Sequence, residues 1–339
     1  MTVRAAVVGC GAISAEHLGY LRESDEVELV GVCDTSPTAA RHAAGTDTAA
    51  LAFTDFDAML AAVEPSVVHV LTPPASHVDL VVASLERGAD VVCEKPIALD
   101  AAGLDRIERT AAATGRRYME NHNYLFNDGV QALDRIRAGG GIGSVAVVDV
   151  SLFVELAPAD GSAPGGAIHD FLTHATYLAL HFLPPGAPDH VSAHWSKLGR
   201  GPADVRHDEL LAVVVVDGVP ATVRISGTAR PMECRVTVAG DAGRMSTELF
   251  QPEVRHSRHV EGNPLEPILD QARTGGRLVL GAAKNLKGKV LERGAIHGLP
   301  RSLAAFYAAL RTGAPLPVPP DEIRRVNSVI DSIVAARPA

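Results

Sequence analysis

The chain is poor in cysteine, in tryptophan and in long apolar runs. Four cysteines occur in 339 residues, at Cys10, Cys33, Cys93 and Cys234. No two stand in C-x-x-C spacing, so neither a disulfide framework nor a zinc site is expected, and reduced thiols in the cytosol are. No apolar run approaches the ~18 residues of a membrane span, which excludes a membrane-spanning role. Strand-like sequence begins at Val3, so no signal peptide is expected and a cytoplasmic location is. Positive charge is short as well: 31 Lys and Arg stand against 40 Asp and Glu, a net charge of −9. A phosphate backbone repels such a surface, so no nucleic-acid partner is expected. Lysine is rarest of all on the N-terminal side, where Lys95 is the only one in the first 196 residues. No internal repeat is visible. What remains, 47% hydrophobic and 21% charged residues, is ordinary for a globular protein, and the length allows two cores.

The first thirty-four residues carry the strongest signal. Val3 to Val8 is an apolar, strand-type run. It enters Gly9-Cys10-Gly11-Ala12-Ile13-Ser14, then a helical pattern through Leu18 and Leu21. A second strand, Val27 to Cys33, ends on Asp34. Strand, glycine turn, helix, strand and acid in this order form the dinucleotide-binding fingerprint. Gly9 allows the tight turn. Gly11 lets backbone N–H groups of the loop, including Ala12 and Ile13, approach a pyrophosphate at the positive end of the helix. Ser14 is small enough for helix and strand to pack. Asp34 is placed to accept from a ribose 2′-OH, which favours NAD over NADP; Arg41, a turn or two further on, is placed to reach a 2′-phosphate and keeps NADP open.

Alternation continues to about residue 120. Helical patterns at 37–44 and 56–62 precede the strand Ser66 to Leu71, which ends at Thr72-Pro73-Pro74. A helix from His77 to Arg87 precedes the strand Ala89 to Cys93, which ends at Glu94-Lys95-Pro96. Helix 100–114 and strand 117–120 follow. This predicts an α/β fold with a Rossmann-type, doubly wound parallel sheet over residues 1–122. Character then changes. A helix at 127–138 leads to strands at 145–153, 190–197, 208–216, 219–228, 233–240 and 244–250, with one long helix at about 168–182. Val219-Pro220 is read as the turn between two of these strands. Helical patterns at 278–292, 299–312 and 321–336 close the chain. Residues 123–339 are therefore expected to form a substrate-binding and oligomerisation domain, α/β with a mostly antiparallel open sheet. Strand 208–216 is apolar on both alternating faces, so something has to cover its outer face; a homodimer or homotetramer is the expected solution. Gly, Pro and Ala crowd 157–166 and 199–205, which are candidate lids or plain surface loops.

In a doubly wound sheet, ligands lie beyond the carboxyl ends of the strands. Gly9 and Gly11, Thr72 and Pro73, His77 beside them, and Glu94 and Lys95 all fall there and are candidate cofactor contacts. A lone lysine at such a strand end is suited to hydrogen-bond a substrate oxygen; a surface pair with Glu94 is the plainer reading. Asp170 and His174 are four apart at a helix start and share a face. Tyr177 and His181 continue that stripe. A helix cap for Asp170 and a buried structural histidine for His174 are the alternatives. His256-x-x-His259 lacks a companion carboxylate or cysteine, so no metal is expected. Between Arg273 and Arg301 stand seven basic residues, Arg277, Lys284, Lys287, Lys289 and Arg293 among them, against Glu292. This patch suits a phosphate-bearing substrate or a solvated helical face.

Gly9-x-Gly11-x-x-Ser14, Glu94-Lys95-Pro96 and Gly165-Gly166-x-x-x-Asp170-x-x-x-His174 together resemble the glucose–fructose oxidoreductase / inositol dehydrogenase / rhizopine catabolism (Gfo/Idh/MocA) family. The resemblance extends over almost the whole chain. It implies a Rossmann domain followed by an α/β domain with an open sheet, NAD(P) as cofactor, and sugars, cyclitols or related polyols as substrates. It implies that Lys95 is the active-site lysine and that Asp170 and His174 are the family's acid and histidine. It also makes Asn123 and Tyr124, which follow the last Rossmann strand, candidates for lining the substrate pocket. Family members often read Asp-x-Gly-x-His followed by a further acid; this chain has Leu172 for the glycine and Tyr177 for the acid. The expected activity is hydride transfer between a nicotinamide and a hydroxyl/ketone pair of a sugar, cyclitol or nucleotide-linked sugar. NAD-dependent, redox-assisted glycoside cleavage and a non-catalytic NAD-binding protein are the alternatives.

Overall fold

The computed structural model describes residues 2–45, 50–156, 168–199, 205–251, 253–259, 265, 268–276, 278–279, 281 and 298–338. Two compact units make up the chain. One comprises Met1–His122 with Leu299–Arg324, the other Asn123–Gly298 with Arg325–Ala339. The chain leaves the first unit where the sequence places its boundary, but it returns after residue 298. The reading of a single C-terminal domain from 123 to 339 had no sign of that return.

In the first unit β1 (Val3–Val8), β2 (Val27–Cys33), β3 (Leu51–Phe53), β4 (Val67–Val70), β5 (Asp90–Cys93) and β6 (Tyr118–Glu120) form one sheet. Their order is β3-β2-β1-β4-β5-β6, with every pairing parallel. The order reverses between β1 and β4, which is where a doubly wound sheet opens its ligand crevice. Both faces are covered, so β4 is buried at all four positions and reads as an unbroken apolar run apart from His69. Helices α1 (Ser14–Glu23), α2 (Pro37–Ala44), α3 (Phe56–Val63), α4 (His77–Glu86) and α5 (Ala101–Thr114) connect the strands. Their starts are set locally. Ser36, Asp55 and Asp100 each accept a hydrogen bond from the backbone N–H three residues on, supplying a partner for an otherwise orphaned donor. A later helix (Leu299–Thr312) adds Leu303, Phe306 and Tyr307 to this unit's core.

The second unit holds α6 (Asp128–Ala138), α7 (His169–Phe182) and a seven-stranded sheet. Its strands are β7 (Val145–Phe153), β8 (His190–Ser196), β9 (Glu209–Val216), β10 (Val219–Ser226), β11 (Glu233–Gly240), β12 (Gly243–Glu248) and β13 (Glu253–Arg258). They lie in the order β13-β12-β11-β7-β10-β9-β8. Only β7 and β10 pair in parallel; the other pairings are antiparallel. The turn expected at Val219-Pro220 is displaced. Both residues lie within β10, and the β9–β10 turn is Asp217-Gly218, with φ of 50° and 72°. Two successive positive φ angles give the tight hairpin that matches strand twist, and Asp-Gly is a sequence that adopts them. Strand β13, absent from the sequence reading, carries Glu253, Arg255 and Arg258 and has no fully buried position; an edge strand without an apolar face has no periodic signal.

One face of this sheet packs on α7. Leu210, Ala212, Val214 and Val216 of β9 are buried with Val223 and Ile225 of β10 and with Leu172, Ala175 and Leu178 of α7. The last helix (Pro320–Ala335) brings Val326, Val329, Ile330 and Ile333 to the same core, and its Ile333 carbonyl accepts from the Trp195 indole at 3.0 Å. On the opposite face of β9 Leu211 is exposed and Val213 and Val215 are half-buried.

Candidate active site

The glycine loop leaves β1 at Gly9, whose φ is +92°. A Cβ there would lie 2.7 Å from the Leu71 carbonyl carbon and the Thr72 nitrogen. Glycine is thus needed for the close approach of β1 to the end of β4 as well as for the turn. Gly11 differs: a Cβ at that position meets nothing within 4 Å. No side chain caps the start of α1, and Ala12 and Gly11 are exposed beside it. Ser14 turns its hydroxyl back to the Gly11 carbonyl at 2.6 Å. A cleft of about 760 Å³ runs along this loop, with Cys10, Gly11, Ala12, Thr38 and His42 in its lining. Open space at a glycine, an uncapped helix start and an adjoining cleft fit a dinucleotide phosphate bridge.

Asp34 closes the loop from the second strand. One carboxylate oxygen accepts from the Cys10 N–H and the other from the Ser36 N–H, both at 2.8 Å. Each oxygen keeps a lone pair, so Asp34 is able to shape the loop and still receive a ribose hydroxyl. Arg41 is exposed and is not part of the cleft lining, whereas Arg22 and His42 are. Burial, with the Asp34 charge behind it, pushes the Cys10 thiol up to about 12. It is a thiol at neutral pH.

His77 is a brace. Its ring nitrogens face the Pro96 carbonyl at 2.8 Å and the Thr72 carbonyl at 2.6 Å, and the residue is buried. His77, expected as a cofactor contact, turns both ring nitrogens to carbonyls at the ends of β4 and β5. Thr72 accepts from Ser76 through its hydroxyl at 2.7 Å, and the Pro73 carbonyl accepts the Ser76 N–H at 3.1 Å.

Behind Glu94 lies a buried polar chain that the sequence reading missed. Glu94 accepts from His17 Nε2 at 3.1 Å and from Asn121 Nδ2 at 2.7 Å. His17 Nδ1 meets His69 Nδ1 at 2.9 Å, and His69 Nε2 meets the Tyr307 hydroxyl at 2.8 Å. Ser302 donates to the Asn121 side-chain oxygen at 2.8 Å. Burial lowers His69 well below the usual histidine value, with the His17 charge adding to the shift. Burial raises Tyr307 far above the usual tyrosine value, which keeps it a donor. Burial pushes the Glu94 carboxyl up, but the His17 and Asn121 hydrogen bonds and the Lys95 charge outweigh it and hold the group below the usual carboxylate range. Next to it Glu120, also buried, accepts from the Ile97 N–H at 3.1 Å and faces His122 Nε2 at 3.0 Å, fixing the segment that follows Lys95 and Pro96. A histidine inside Val67-Val68-His69-Val70-Leu71 was the available signal, since polar groups in a doubly buried strand need partners.

In the second unit α7 carries Asp170, exposed, and His174, almost buried. The Tyr124 ring stacks on His174 at 4.3 Å between centroids. His174 Nδ1 lies 2.7 Å from the Tyr177 hydroxyl, which also accepts the Tyr124 N–H at 3.1 Å. Burial raises the Tyr124 hydroxyl, and the Asp170 charge contributes. Asn123 is buried at the start of the same turn. His181, expected on the same stripe, is spent on Asp134 of α6 at 2.9 Å. His256 Nε2 donates to the Gly141 carbonyl at 2.9 Å. Gly165 and Gly166, loop 157–166, most of 199–205, and Arg277, Lys284, Lys287, Lys289 and Arg293 of the basic segment lie outside the described residues.

Residues 3–122 match the family described as an oxidoreductase family with an NAD-binding Rossmann fold, GFO_IDH_MocA. Residues 130–246 match the GFO/IDH/MocA C-terminal domain. The chain belongs to this family. Among its relatives is inositol 2-dehydrogenase of Rhizobium meliloti (strain 1021), 27% identical over 80% of this chain and 83% of that protein. D-glucoside 3-dehydrogenase of Escherichia coli K12 is 29% identical over 58% and 59%. The WlbA dehydrogenase of Bordetella pertussis, crystallised with NADH and UDP-GlcNAcA, shares the fold with a TM-score of 0.80 at 20% identity, over 99% of this chain and 95% of that one. The chain is therefore an oxidoreductase with an NAD-binding Rossmann unit.

Two outcomes follow from this geometry. Gly9→Ala is expected to destabilise the protein by about 2–4 kcal/mol, from the left-handed backbone and the clash together. Gly11→Ala is expected to leave the urea midpoint nearly unchanged and to weaken NAD binding about tenfold or more, because a methyl group enters the phosphate cradle. Titration calorimetry beside urea unfolding checks both. The second outcome concerns pH. Folded His69 stays neutral well below 6.5, whereas the unfolded chain takes up that proton near 6.5. The unfolded state then binds more protons in between, so the His69 contribution is complete above about 6.5 and declines as pH falls, by at most ~1.4 kcal/mol per pH unit. Between about pH 7.5 and pH 5.5 the wild type should lose more stability in urea than His69→Leu does; equal losses would contradict the assignment.

Proposed function

We propose that the protein oxidises a secondary hydroxyl of a sugar, cyclitol or nucleotide-linked sugar to the ketone with NAD, or runs the reverse reduction. The observation that carries this reading is the pairing of an open glycine cradle at Gly11 with a lone lysine, Lys95, at the next strand end but one of the same sheet. The dehydrogenases named above act on inositol and on glucosides, and one was crystallised with a UDP-linked sugar acid. These relatives support a polyol substrate for this chain.

NAD supplies the hydride acceptor. Gly11, Ala12 and Ile13 hold its phosphates at the start of α1, Asp34 its adenosine ribose, and Thr72, Pro73 and Glu94 border it. Lys95 hydrogen-bonds the reacting oxygen and stabilises it as the proton leaves. His174 is the acid/base that takes that proton, and Asp170 binds substrate hydroxyls or orients the imidazole. Asn123 and Tyr124, whose ring packs on His174, line the substrate pocket. Asp34 repels a 2′-phosphate, so NAD is preferred to NADP. In steady-state assays kcat/KM with NAD should exceed that with NADP, and Lys95→Ala should lower kcat by about 10²–10⁴ with the Kd for NAD almost unchanged. Wild-type turnover by Lys95→Ala would remove Lys95 from the mechanism.

The enzyme is proposed to act as a homo-oligomer in the cytoplasm, where its four free cysteines stay reduced. No described helix is long and apolar enough to cross a membrane. The outer face of β9, with Leu211, Val213 and Val215, is the surface a second copy would cover. Light scattering should give at least twice the 35.5 kDa of one chain, and Leu211→Glu should lower that mass; a monomeric wild type would refute it.

A further inference from the structure

The fold uses only one oxygen of the Glu94 carboxylate. His17 Nε2 at 3.1 Å and Asn121 Nδ2 at 2.7 Å both meet Oε1. Among the described residues Oε2 has no hydrogen-bond partner. It is not one of the buried orphaned atoms either, so solvent reaches it. His17 is fully buried, whereas the Glu94 side chain keeps 14% of its surface exposed. The His17 donor therefore stands behind the carboxylate, and the unpaired oxygen is on the open side. Burial works against the charge, but the His17 and Asn121 hydrogen bonds and the Lys95 charge outweigh it.

The sheet sets where that oxygen looks. Glu94 follows Cys93, the last residue of β5, at the end where a doubly wound sheet takes its ligands. With the adenosine half of the dinucleotide at Asp34, beyond β2, the other half crosses β1 to the side of β4 and β5. Thr72 and Glu94 stand there. The nicotinamide ring is the part of the cofactor that changes charge in the reaction. It is a pyridinium cation when oxidised and neutral when reduced. A carboxylate with a free oxygen beside it interacts differently with the two forms.

We propose that Glu94, through Oε2, distinguishes the oxidised from the reduced cofactor, favouring the cationic ring and holding NAD more tightly than NADH. The proposal rests on the placement of NAD given above and on nothing about the sugar. NADH made in the oxidation is then held less firmly than the NAD that entered. The bound couple is also shifted toward its oxidised form, and a tenfold difference in Kd is ~30 mV for two electrons. Lys95 is the opposing charge at this strand end, so the expected effect is that of a single charged contact.

Titration calorimetry without sugar tests this. The probe is the NAD analogue with benzamide in place of nicotinamide, which keeps the planar ring and carboxamide and lacks the charge. Wild type should bind NAD about tenfold more tightly than the analogue, near the low end of what a contact to a charged group contributes. It should also bind NAD more tightly than NADH. Glu94→Gln, which removes the charge and keeps an acceptor for His17 and Asn121, should lose most of both preferences. Equal wild-type affinities for NAD and the analogue overturn the proposal, and that comparison needs no variant to fold. Full preference for NAD in Glu94→Gln also overturns it, because another group would then be making the distinction. If wild type binds none of the three nucleotides, the cofactor placement itself fails and the proposal falls with it.

Discussion

The largely buried Glu94 carboxylate, its side chain 14% exposed, is the constraint on which the first unit depends. A buried charge has to be met by hydrogen bonds or it destabilises the fold by several kcal/mol. Here two donors meet it, His17 from α1 and Asn121 from the end of β6, and each needs support in turn. His17 leans on His69 of β4 and, through it, on Tyr307; Asn121 leans on Ser302. Tyr307 and Ser302 both come from the helix Leu299–Thr312. The demand of one carboxylate thus reaches across the first unit and gives a reason why the chain returns to it after residue 298. It also fixes the backbone on which Lys95 stands, with Glu120 and His77 holding the following residues.

The glycine loop shows the same economy. Gly9 answers to its neighbours Leu71 and Thr72, and Gly11 to nothing in the chain. Two glycines in one motif therefore differ, one fixed by its neighbours and the other with open space around it. Asp34 joins them, since its carboxylate holds the intervening Cys10 N–H. An acid expected from the sequence to be a ribose ligand is the brace of the loop.

Much of this was legible in the residues. Strand and helix periods from Val3 to Glu120 and the strand run after Val145 were clear because burial on one or both faces imposes them. Lys95, Asp170 and His174 stood out by chemistry and spacing, and they are the residues proposed for catalysis. What could not be read were pairings between distant residues. His17 and His69 are 52 positions apart, and only folding shows that their nitrogens meet. His77 looked like a cofactor contact because it lies beside Thr72; whether its nitrogens face a ligand or two carbonyls is not a property of sequence. Strand β13 lacks an apolar face, and the helix at 299–312 has an amphipathic pattern that does not say which core it joins. The Asp217-Gly218 turn was readable and was obscured by Pro220, which sits in β10.

Function in this account is the meeting of a nicotinamide with a polyol carbon, and a labelled substrate tests it most directly. Cyclitols, aldoses and nucleotide sugars would be offered with NAD, and the one that turns over prepared again with deuterium at the carbon to be oxidised. Ketone and NADH should form in equal amounts, with the deuterium carried on C4 of the reduced nicotinamide. Deuterium released to solvent, or product formed with no net or transient reduction of NAD, would contradict it.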